Sequence, residues 1–380
     1  MKFKFEEIVY EGKNGTRKPT KDDQLFYVGL EHLESDTLSI NRFGSKTPLK
    51  TTMKVMKQGD ILFGRRNAYL RRTGIAPHDG ICSGDIMILY PIDKVIDKDF
   101  LPFFLSSDYF FDIAIDSSTG SIMKRAMWSK LKNIEFTLPT ISDQKHLAEL
   151  LWAMEDTKQA YKKLLKATDA LVNAKFIEKF GDPETNPMGW EVKRVDEISN
   201  TQLGKMLDGK KQTGKNSYHY LANFNVQWFK VDVSILRKMD FNENEREKYS
   251  LQAGDLLVCE GGEVGRTAIW NNEISNCFIQ NAVHRVRCDI NKCIPFFLAW
   301  MMFYYANNSI FEKITSQVTI AHLTNEKLNA LTIPIPPLPL QTQFYDFVCQ
   351  VEQYKEKIIL SLKSLELSMR EVLNGCFNEK

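Results

Sequence analysis

The chain has 380 residues, of which 43% are hydrophobic and 26% are charged, and its formal net charge is only +2. This composition is typical of a globular protein. With so small a net charge, the chain cannot attract nucleic acid through overall basicity. A nucleic-acid-binding surface would need local clusters of basic residues. The longest apolar run, Ile294 to Ala306, is too short to span a bilayer. Seven cysteines without a C-x-x-C pair are typical of a cytoplasmic protein.

The first 140 residues predict a globular region of short strands and helices. Gly59 to Phe63 (GDILF) is typical of a turn that leads into a short buried strand. Residues 64–72 (GRRNAYLRR), which we call the arginine-rich loop, follow at once. Further on, Pro102 begins a run of apolar residues, as a proline does in the first turn of a buried helix.

A long helix is predicted from about Ser142 to Phe180. Ser142 suits the N-cap, and Gly181 followed by Pro183 suits the end of a helix, since proline cannot continue it. The side chains of one stripe recur at alternating spacings of four and three, which is the 3.5-residue spacing of a coiled-coil seam. The stripe consists of Leu147, Leu151, Met154, Lys158, Tyr161, Leu165, Thr168 and Val172.

The second half of the chain repeats the order of the first. Residues 254–258 (GDLLV) echo residues 59–63, and residues 295–298 (PFFL) echo residues 102–105. A proline-rich stretch, Thr332 to Pro339, cannot be helical and should lead in extended form into a second long helix, from about Leu340 to Phe377. We therefore interpret the chain as a tandem duplication.

The second helix carries the same stripe as the first at a constant offset of 197 residues: Phe344, Val348, Val351, Lys355, Ile358, Leu362, Leu365 and Met369. Two matching stripes far apart in sequence are most simply buried against each other. Lys158 and Lys355 interrupt the two seams at the same place, and we expect them to pin the register of the helix pair. The alternative is that each helix packs on its own domain and each lysine carries its charge to the edge.

These patterns divide the chain into four regions. We predict a first domain at residues 1–140, a long helix at 141–181, a second domain at 182–338 and a second long helix at 339–380.

No catalytic set emerges from the sequence. Residues 204–211 (GKMLDGKK) have the glycine spacing of a phosphate-binding loop, but a lysine stands where magnesium chemistry requires Ser or Thr. Asp182, Glu191 and Lys193 resemble a nuclease metal set, yet they straddle the domain junction. The scattered residues Cys277, His284, Cys288 and Cys293 lack the tight ligand pairs of a zinc site. We predict that this chain is not an enzyme and that it binds neither a metal nor a cofactor.

Binding chemistry is better represented. Arginine bridges phosphates or reads guanine with paired hydrogen bonds, and asparagine reads adenine. The candidates are Arg65, Arg66, Asn67, Tyr69, Arg71 and Arg72 in the first half, and Lys205, Lys210, Lys211, Lys215, Tyr218 and Arg266 in the second. A single basic run is often only a solvated face, but two basic regions on a duplicated scaffold favour a nucleic-acid partner.

The whole chain resembles a specificity subunit of a type I restriction–modification system. The resemblance is carried by Tyr27 to His32, Gly59 to Tyr69, Gly80 to Asp85, Phe180 to Pro183 with Gly189-Trp190, and Ile333 to Pro337 with Gln341. It implies a mixed α/β (α+β) fold with two tandem target-recognition domains. Two long antiparallel, coiled-coil-like helices would separate these domains and give an internal pseudo-two-fold repeat.

The resemblance also implies a function. Each domain would read one half of a bipartite, asymmetric site in double-stranded DNA, and the helices would set the spacer and dock two modification subunits. S-adenosylmethionine would belong to those methyltransferase subunits, and ATP-dependent restriction subunits would join them. The sequence departs from a simple repeat at residues 260–265 (EGGEVG), which replace the arginine-rich loop and predict dissimilar half-sites. Two alternatives stay open: a DNA-binding nuclease with its own metal site, and a protein scaffold that never contacts DNA.

Overall fold

The computed structural model describes residues 1–12, 14–116, 125–209, 212–314 and 322–377, and the chain divides into two compact units. Unit 1 comprises Met1–Lys166 and Glu356–Lys380, and unit 2 comprises Ala167–Lys355. Each long helix contributes residues to both units. The four regions predicted from the sequence treat each long helix as a region of its own. The two units instead join part of each long helix to the core on which that part packs.

The described part of unit 1 contains short strands and short helices before its long-helix segments. The strands are β1 (Lys2–Lys4), β2 (Val9–Glu11), β3 (Thr16–Arg17), β4 (Tyr27–Val28), β5 (Met53–Met56), β6 (Ile61–Gly64), β7 (Thr73–Ile75), β8 (Gly80–Cys82), β9 (Ile86–Pro91) and β10 (Glu135–Thr137). The helices are α1 (Phe5–Ile8), α2 (Leu101–Ser106), α3 (Asp108–Asp116), α4 (Trp128–Leu131) and α5 (Ile141–Phe180), which continues into unit 2.

Two four-stranded sheets form the scaffold of unit 1. The first is antiparallel and has the order β2-β9-β6-β7, and the second has the order β3-β5-β8-β4 with a parallel β4–β8 pair. Ile61 and Phe63 of β6 belong to one core cluster, whereas Leu62 belongs to another. Because alternate side chains of a strand point to opposite faces, both faces of this sheet are buried. The turn before β6 uses Gly59 with a φ of +88°, a conformation that glycine adopts easily.

The described part of unit 2 repeats much of this plan. Its strands are β11 (Glu191–Arg194), β12 (Ser199–Leu203), β13 (Ser217–Leu221), β14 (Val226–Gln227), β15 (Lys230–Val231), β16 (Arg237–Asp240), β17 (Leu256–Cys259), β18 (Thr267–Ile269), β19 (Cys277–Ile279), β20 (Val283–Cys288) and β21 (Thr332–Ile335). Its helices are α6 (Val195–Ile198), α7 (Glu243–Lys248), α8 (Pro295–Asn307), α9 (Ile310–Ile314), α10 (Asn325–Ala330) and α11 (Leu338–Phe377), which continues into unit 1.

The four-stranded sheet of unit 2 has the order β12-β20-β17-β18, the same connectivity as β2-β9-β6-β7. A three-stranded sheet, β16-β13-β19, includes a parallel β13–β19 pair. The turn before β17 uses Gly254 with a φ of +91°, as its counterpart before β6 does. The echoed segments of the sequence therefore form corresponding elements.

The two long helices pair within each unit. In unit 1, Leu151 of α5 shares a core cluster with Met369 and Phe377 of α11. In unit 2, Phe176 of α5 shares a cluster with Phe344 of α11. In each unit, therefore, one end of α5 packs on the opposite end of α11, and the pairing is antiparallel.

The predicted helices are confirmed, with small differences at their starts. Helix α5 begins at Ile141, and Thr140 rather than Ser142 caps it, because Asp143 N–H donates to Thr140 Oγ1 at 3.3 Å. Helix α11 begins at Leu338, so Pro339, which we expected in an extended segment, lies in its first turn. Proline is tolerated there because the first N–H groups of a helix have no intrahelical partner.

The predicted seam is buried at its ends and half-buried in its middle. Buried positions include Leu151, Lys158, Val172, Phe344, Val348, Val351 and Met369, while Tyr161, Thr168, Leu165, Lys355, Ile358, Leu362 and Leu365 are half-buried. Leu147 and Met154 are also half-buried, and the neighbouring Ala148 and Glu155 are buried instead. The start of α5 packs on the core of unit 1 as well as on α11, so its buried face is wider than a coiled-coil seam.

A buried glutamine anchors the start of each long helix. Gln144 accepts a hydrogen bond from Asp97 N–H at 2.8 Å and donates to the carbonyls of Val95 and Pro139. Gln341 makes the equivalent bonds, accepting from Ile294 N–H at 3.0 Å and donating to the carbonyls of Lys292 and Pro336. The two glutamines are separated by the same 197 residues as the matching stripes of the two helices. Because a buried amide must find partners, each one ties a helix to its own unit.

Candidate nucleic-acid interface

A backbone junction of three segments follows β6, an inner strand of the antiparallel four-stranded sheet in unit 1. Arg65 N–H donates to the carbonyl of Asp85 at 3.0 Å, and Ala126 N–H donates to the carbonyl of Arg65 at 2.8 Å. Thus the arginine-rich loop, the segment before β9 and the segment before α4 are joined at one place. We call the residues at this place the unit 1 junction.

Unit 2 contains a backbone junction of the same kind after β17. Glu260 N–H donates to the carbonyl of Ala282 at 3.0 Å, and Leu323 N–H donates to the carbonyl of Glu260 at 2.8 Å. The hydrogen bonds correspond one to one with those of unit 1, and we call this place the unit 2 junction. The backbone is therefore shared, and only the side chains distinguish the two places.

In the unit 1 junction three arginines surround one carboxylate. Asp85 lies 2.5 Å from Arg125, 3.5 Å from Arg66 and 3.9 Å from Arg65, measured between nitrogen and oxygen atoms. Arg125 was missed by the sequence analysis. It is 40 residues from Asp85 along the chain, and no local pattern marks it.

The other predicted residues of the arginine-rich loop have different roles. Arg71 pairs with Asp108 and also donates to Asp112 at 2.7 Å, so it ties the loop to α3. Tyr69 is exposed, and Asn67 is half-buried with a φ of +53°. The carbonyl of Arg72 accepts from Gly64 N–H, which closes the loop. The loop is therefore a braced structure with Tyr69 at its surface.

Two basic candidates of unit 2 make contacts within the unit. Lys205 donates to the carbonyl of Asp240 and to Glu245, both at 2.6 Å, and its ammonium group lies 5.1 Å from the Phe241 ring centre. Arg266 donates to the carbonyl of Asn223 at 2.8 Å. Both side chains are largely buried and hold loops together, so a basic residue type alone did not indicate an exposed contact.

The remaining candidates of unit 2 are more accessible. Lys215 is exposed, and Tyr218 is half-buried and accepts a hydrogen bond from Arg246 at 3.1 Å. The Arg246 guanidinium also lies 5.5 Å from the Tyr218 ring centre, a cation–π arrangement. Lys210 and Lys211 lie outside the described residues.

The unit 2 junction presents acceptors and amides in place of arginines. Glu260 is half-buried, Gln280 pairs with Asn281, and His322 is exposed next to Leu323. A carboxylate can accept from the amino group of cytosine, and amides can pair with adenine, whereas arginine favours guanine or phosphate. The two junctions therefore offer opposite chemistry on the same backbone.

Two arginines on β20 that alternate along the strand are used internally. Arg287 forms two hydrogen bonds of 2.7 Å with Asp255, and these bonds raise the pKa of its guanidinium. Arg285 is buried and donates to the carbonyls of Lys248 and Ser250, and burial lowers its pKa. Arg285 is therefore enclosed in unit 2, whereas the Arg287 side chain remains 34% exposed beside Asp255.

The residues considered for catalysis are dispersed. Asp182 accepts from the Tyr304 hydroxyl at 3.1 Å, and Lys193 pairs with Glu191 at 3.1 Å. Within the described ranges, no group of three His, Cys, Asp or Glu side chains is placed to hold a metal ion. Among the helices of those same ranges, none is both long and apolar enough to cross a membrane.

Comparison with known proteins agrees with the resemblance seen in the sequence. Residues 187–364 match the family described as type I restriction modification DNA specificity domain. A putative type I restriction enzyme MjaX specificity subunit of Methanocaldococcus jannaschii is 25% identical over 198 residues, which cover 51% of this chain and 46% of that protein. The EcoDI specificity subunit of Escherichia coli is 26% identical over 148 residues, which cover 37% of this chain and 32% of that protein. The chain thus spans less than half the length of these curated relatives.

Solved structures share the fold over nearly the whole chain. The HsdS subunit from Thermoanaerobacter tengcongensis gives a TM-score of 0.51 at 20% identity, covering 99% of this chain and 96% of that one. The S subunit from M. genitalium gives 0.56 at 15% identity, covering 100% and 96%. A chain from a type I R-M system studied for complex assembly gives 0.66 at 19% identity, covering 100% and 97%. The fold is therefore that of a type I S subunit. Residues 187–364 thus match a type I restriction–modification DNA specificity domain, and the chain as a whole is similar to the specificity subunits of such systems.

Proposed function

We propose that this chain is the sequence-specific DNA-recognition subunit of a type I restriction–modification complex. Its two units are duplicated readers, and each reads one half of a bipartite, asymmetric site in double-stranded DNA. The observation that carries this proposal is the pair of junctions. A shared backbone with arginines in one unit and with Glu260 and amides in the other suits two readers of different half-sites.

The chain itself carries out no catalysis under this proposal. The long helices set the spacer between the half-sites and dock two modification subunits, which bind S-adenosylmethionine and transfer the methyl group. Restriction subunits then join that complex. Apolar side chains that are exposed along the helices support a docking role: Leu150, Leu164, Ile359, Leu360 and Leu367 in unit 1, and Leu171, Ile177, Tyr345 and Tyr354 in unit 2.

Genome-wide sequencing of methylation marks tests the recognition role. In cells that contain the modification subunits, marks at one bipartite motif should be present with this gene and absent without it. Unchanged marks would contradict the proposal. Magnesium-dependent DNA cleavage by the purified chain alone would favour a nuclease, and DNA binding that is absent at every salt concentration would favour a protein scaffold.

An insertion of seven residues in each helix tests the spacer role. The matched places are after Lys166 and after Lys363, and a full heptad keeps each stripe continuous. Each helix then lengthens by about 10 Å, at ~1.5 Å per residue. That length corresponds to about three base pairs of DNA, which also rotate the groove by roughly 100°.

We expect the two half-site sequences to remain the same after this insertion. The gap between them should widen with weaker binding, or full-site binding should fail while each unit still folds. Methylation sequencing of the inserted variant distinguishes these results. An unchanged gap at full activity would show that the helices do not measure the site.

A further inference from the structure

The unit 1 junction brings together three cations from two distant parts of the chain. Arg65 and Arg66 belong to the arginine-rich loop, Asp85 precedes β9, and Arg125 precedes α4. An isolated antiparallel bridge between Arg66 and Arg125 brings the last of these segments alongside the loop. The cluster is therefore assembled by the fold, and its three arginines all lie within ion-pair distance of the Asp85 carboxylate.

The cluster is accessible and its carboxylate is held in place. The side chains of Arg65, Arg66 and Arg125 are 31%, 41% and 44% exposed, and that of Asp85 is 20% exposed. Asp85 N–H donates to Ser83 Oγ at 3.2 Å, and the Asp85 carbonyl accepts from Arg65 N–H. Arg65 Nε is buried and makes no hydrogen bond to any described residue. The guanidinium groups of Arg65 and Arg125 thus have hydrogen-bonding capacity beyond what one carboxylate uses.

A carboxylate and a phosphodiester present similar pairs of oxygen atoms to arginine. A DNA phosphate can therefore take the bonds that Asp85 now makes, and the excess of positive charge favours its approach. Reading a guanine base would instead require a guanidinium free to present both donors to one base edge. The geometry here favours the phosphate, because the arginines converge on one point.

We propose that Arg65, Arg66 and Arg125 form a phosphodiester-binding site in which Asp85 acts as a built-in competitor of the DNA backbone. The proposal rests on the proposed DNA-recognition function and names the chemistry of one contact. Asp85 holds the arginines together without DNA and lowers affinity for random sequences. Cognate DNA overcomes this competition because base contacts elsewhere contribute further binding energy. In unit 2, Glu260 corresponds to Arg65 and Ala282 corresponds to Asp85. This competition between a carboxylate and a phosphate is therefore proposed for unit 1 alone.

The Asp85→Asn variant tests the proposal, since it removes the charge and keeps the shape of the side chain. The assembled complex with its modification subunits is titrated with labelled cognate and random duplexes across a range of salt. Affinity for the random duplex should rise about tenfold at ~0.1 M salt, because one further phosphate is neutralised. The slope of log affinity against log salt should steepen by about one, and discrimination should fall.

Asp36→Asn is the matched control. It makes the same change of net charge in unit 1, where Asp36 pairs with Lys162 at 2.9 Å away from the junction. We expect no comparable change in affinity. Arg125→Ala should weaken binding to the cognate duplex and flatten its salt slope by about one, with a much smaller effect on the random duplex, which does not displace Asp85.

If Asp85→Asn folds normally but leaves affinity and salt slope unchanged, Asp85 is only structural and the inference is wrong. If Arg125→Ala changes the methylated motif and not the salt slope, the cluster reads a base and the phosphate assignment is wrong. A parent complex that does not discriminate between the duplexes would instead contradict the proposed function itself, so the two failures are distinguishable.

Discussion

Lys158 and Lys355 occupy matching positions in the two long helices, yet their surroundings differ. Lys158 is 4% exposed, pairs with Glu155 at 2.5 Å and donates to the Asp36 carbonyl at 2.7 Å. Lys355 keeps 22% of its side chain exposed and pairs with Asp169 at 2.9 Å. The first lysine anchors a loop of unit 1 to α5, whereas the second links α11 to α5 at the surface of unit 2.

The difference shows that one sequence position can carry two roles. The register role expected for both lysines fits the contact of Lys355 with the opposite helix and stays a prediction. Lys158 is instead part of a buried network, in which Glu155 also accepts from Thr37 at 3.0 Å. Burial determines how much each ion pair contributes to the free energy of unfolding. An unpaired charge that is buried away from water is costly, whereas an unpaired charge at the surface is solvated.

The largest effect is expected when the buried pair is broken. Lys158→Met leaves the Glu155 carboxylate buried without its cation, and should destabilise unit 1 by about 3–5 kcal/mol. Lys355→Met should cost unit 2 less than about 1 kcal/mol, because exposed pairs contribute little. Amide hydrogen exchange, read separately for peptides of each unit, measures both free energies of opening.

The double variant Glu155→Leu with Lys158→Leu is the control for this comparison. Replacing both charges with apolar groups should recover most of the stability. Equal losses for the two lysine variants would show that burial does not distinguish them.

The second prediction concerns Gln144 and Gln341, whose surroundings are alike. Changing either to Ala removes three hydrogen bonds to backbone groups, most of them partly buried, so we expect each unit to lose about 1–3 kcal/mol. The same exchange measurement should show similar losses in the two units. A large loss in only one unit would mean that these matched contacts are not energetically equivalent.

The smallest effect is expected from pH. His284 is fully buried on β20, and burial lowers its pKa below the ordinary value of 6.5. Its Nε2 lies 2.8 Å from the Leu323 carbonyl. The corresponding strand pairing in unit 1 has Met87 opposite Phe63, where unit 2 has His284 opposite Val258. Only unit 2 therefore contains a buried histidine at this place.

The direction in which the stability of unit 2 changes with pH depends on whether the folded or the unfolded state binds the proton first. As pH falls below about 6.5, the unfolded chain takes up a proton at His284 before the folded unit does. Unit 2 should then lose up to about 1.4 kcal/mol per pH unit, until the lowered pKa of the folded state is reached. Comparing exchange at pH 7 and pH 5 in the parent and in His284→Met measures this contribution. An identical pH dependence in both proteins would contradict it.

Much of the scaffold was predictable from sequence. The spacing of apolar residues predicted both long helices, which the structure places at Ile141–Phe180 and Leu338–Phe377. Gly59 and Gly254 marked equivalent turns because only a few residue types tolerate a positive φ. Periodicity and turn chemistry are local properties, so they can be read from a short stretch of chain.

The candidate site was less predictable, because its properties depend on contacts between distant residues. The density of arginines identified the loop at residues 64–72, but not that Arg71 would pair with Asp108 or that Arg125 would join Asp85. Lys205 looked like an exposed basic residue and is held inside unit 2. The sequence by itself determined the duplication pattern, the helices and their turns, through local periodicity and backbone preference. Tertiary structure alone decided which charges are buried, paired or accessible, because desolvation and ion pairing depend on which distant segments meet.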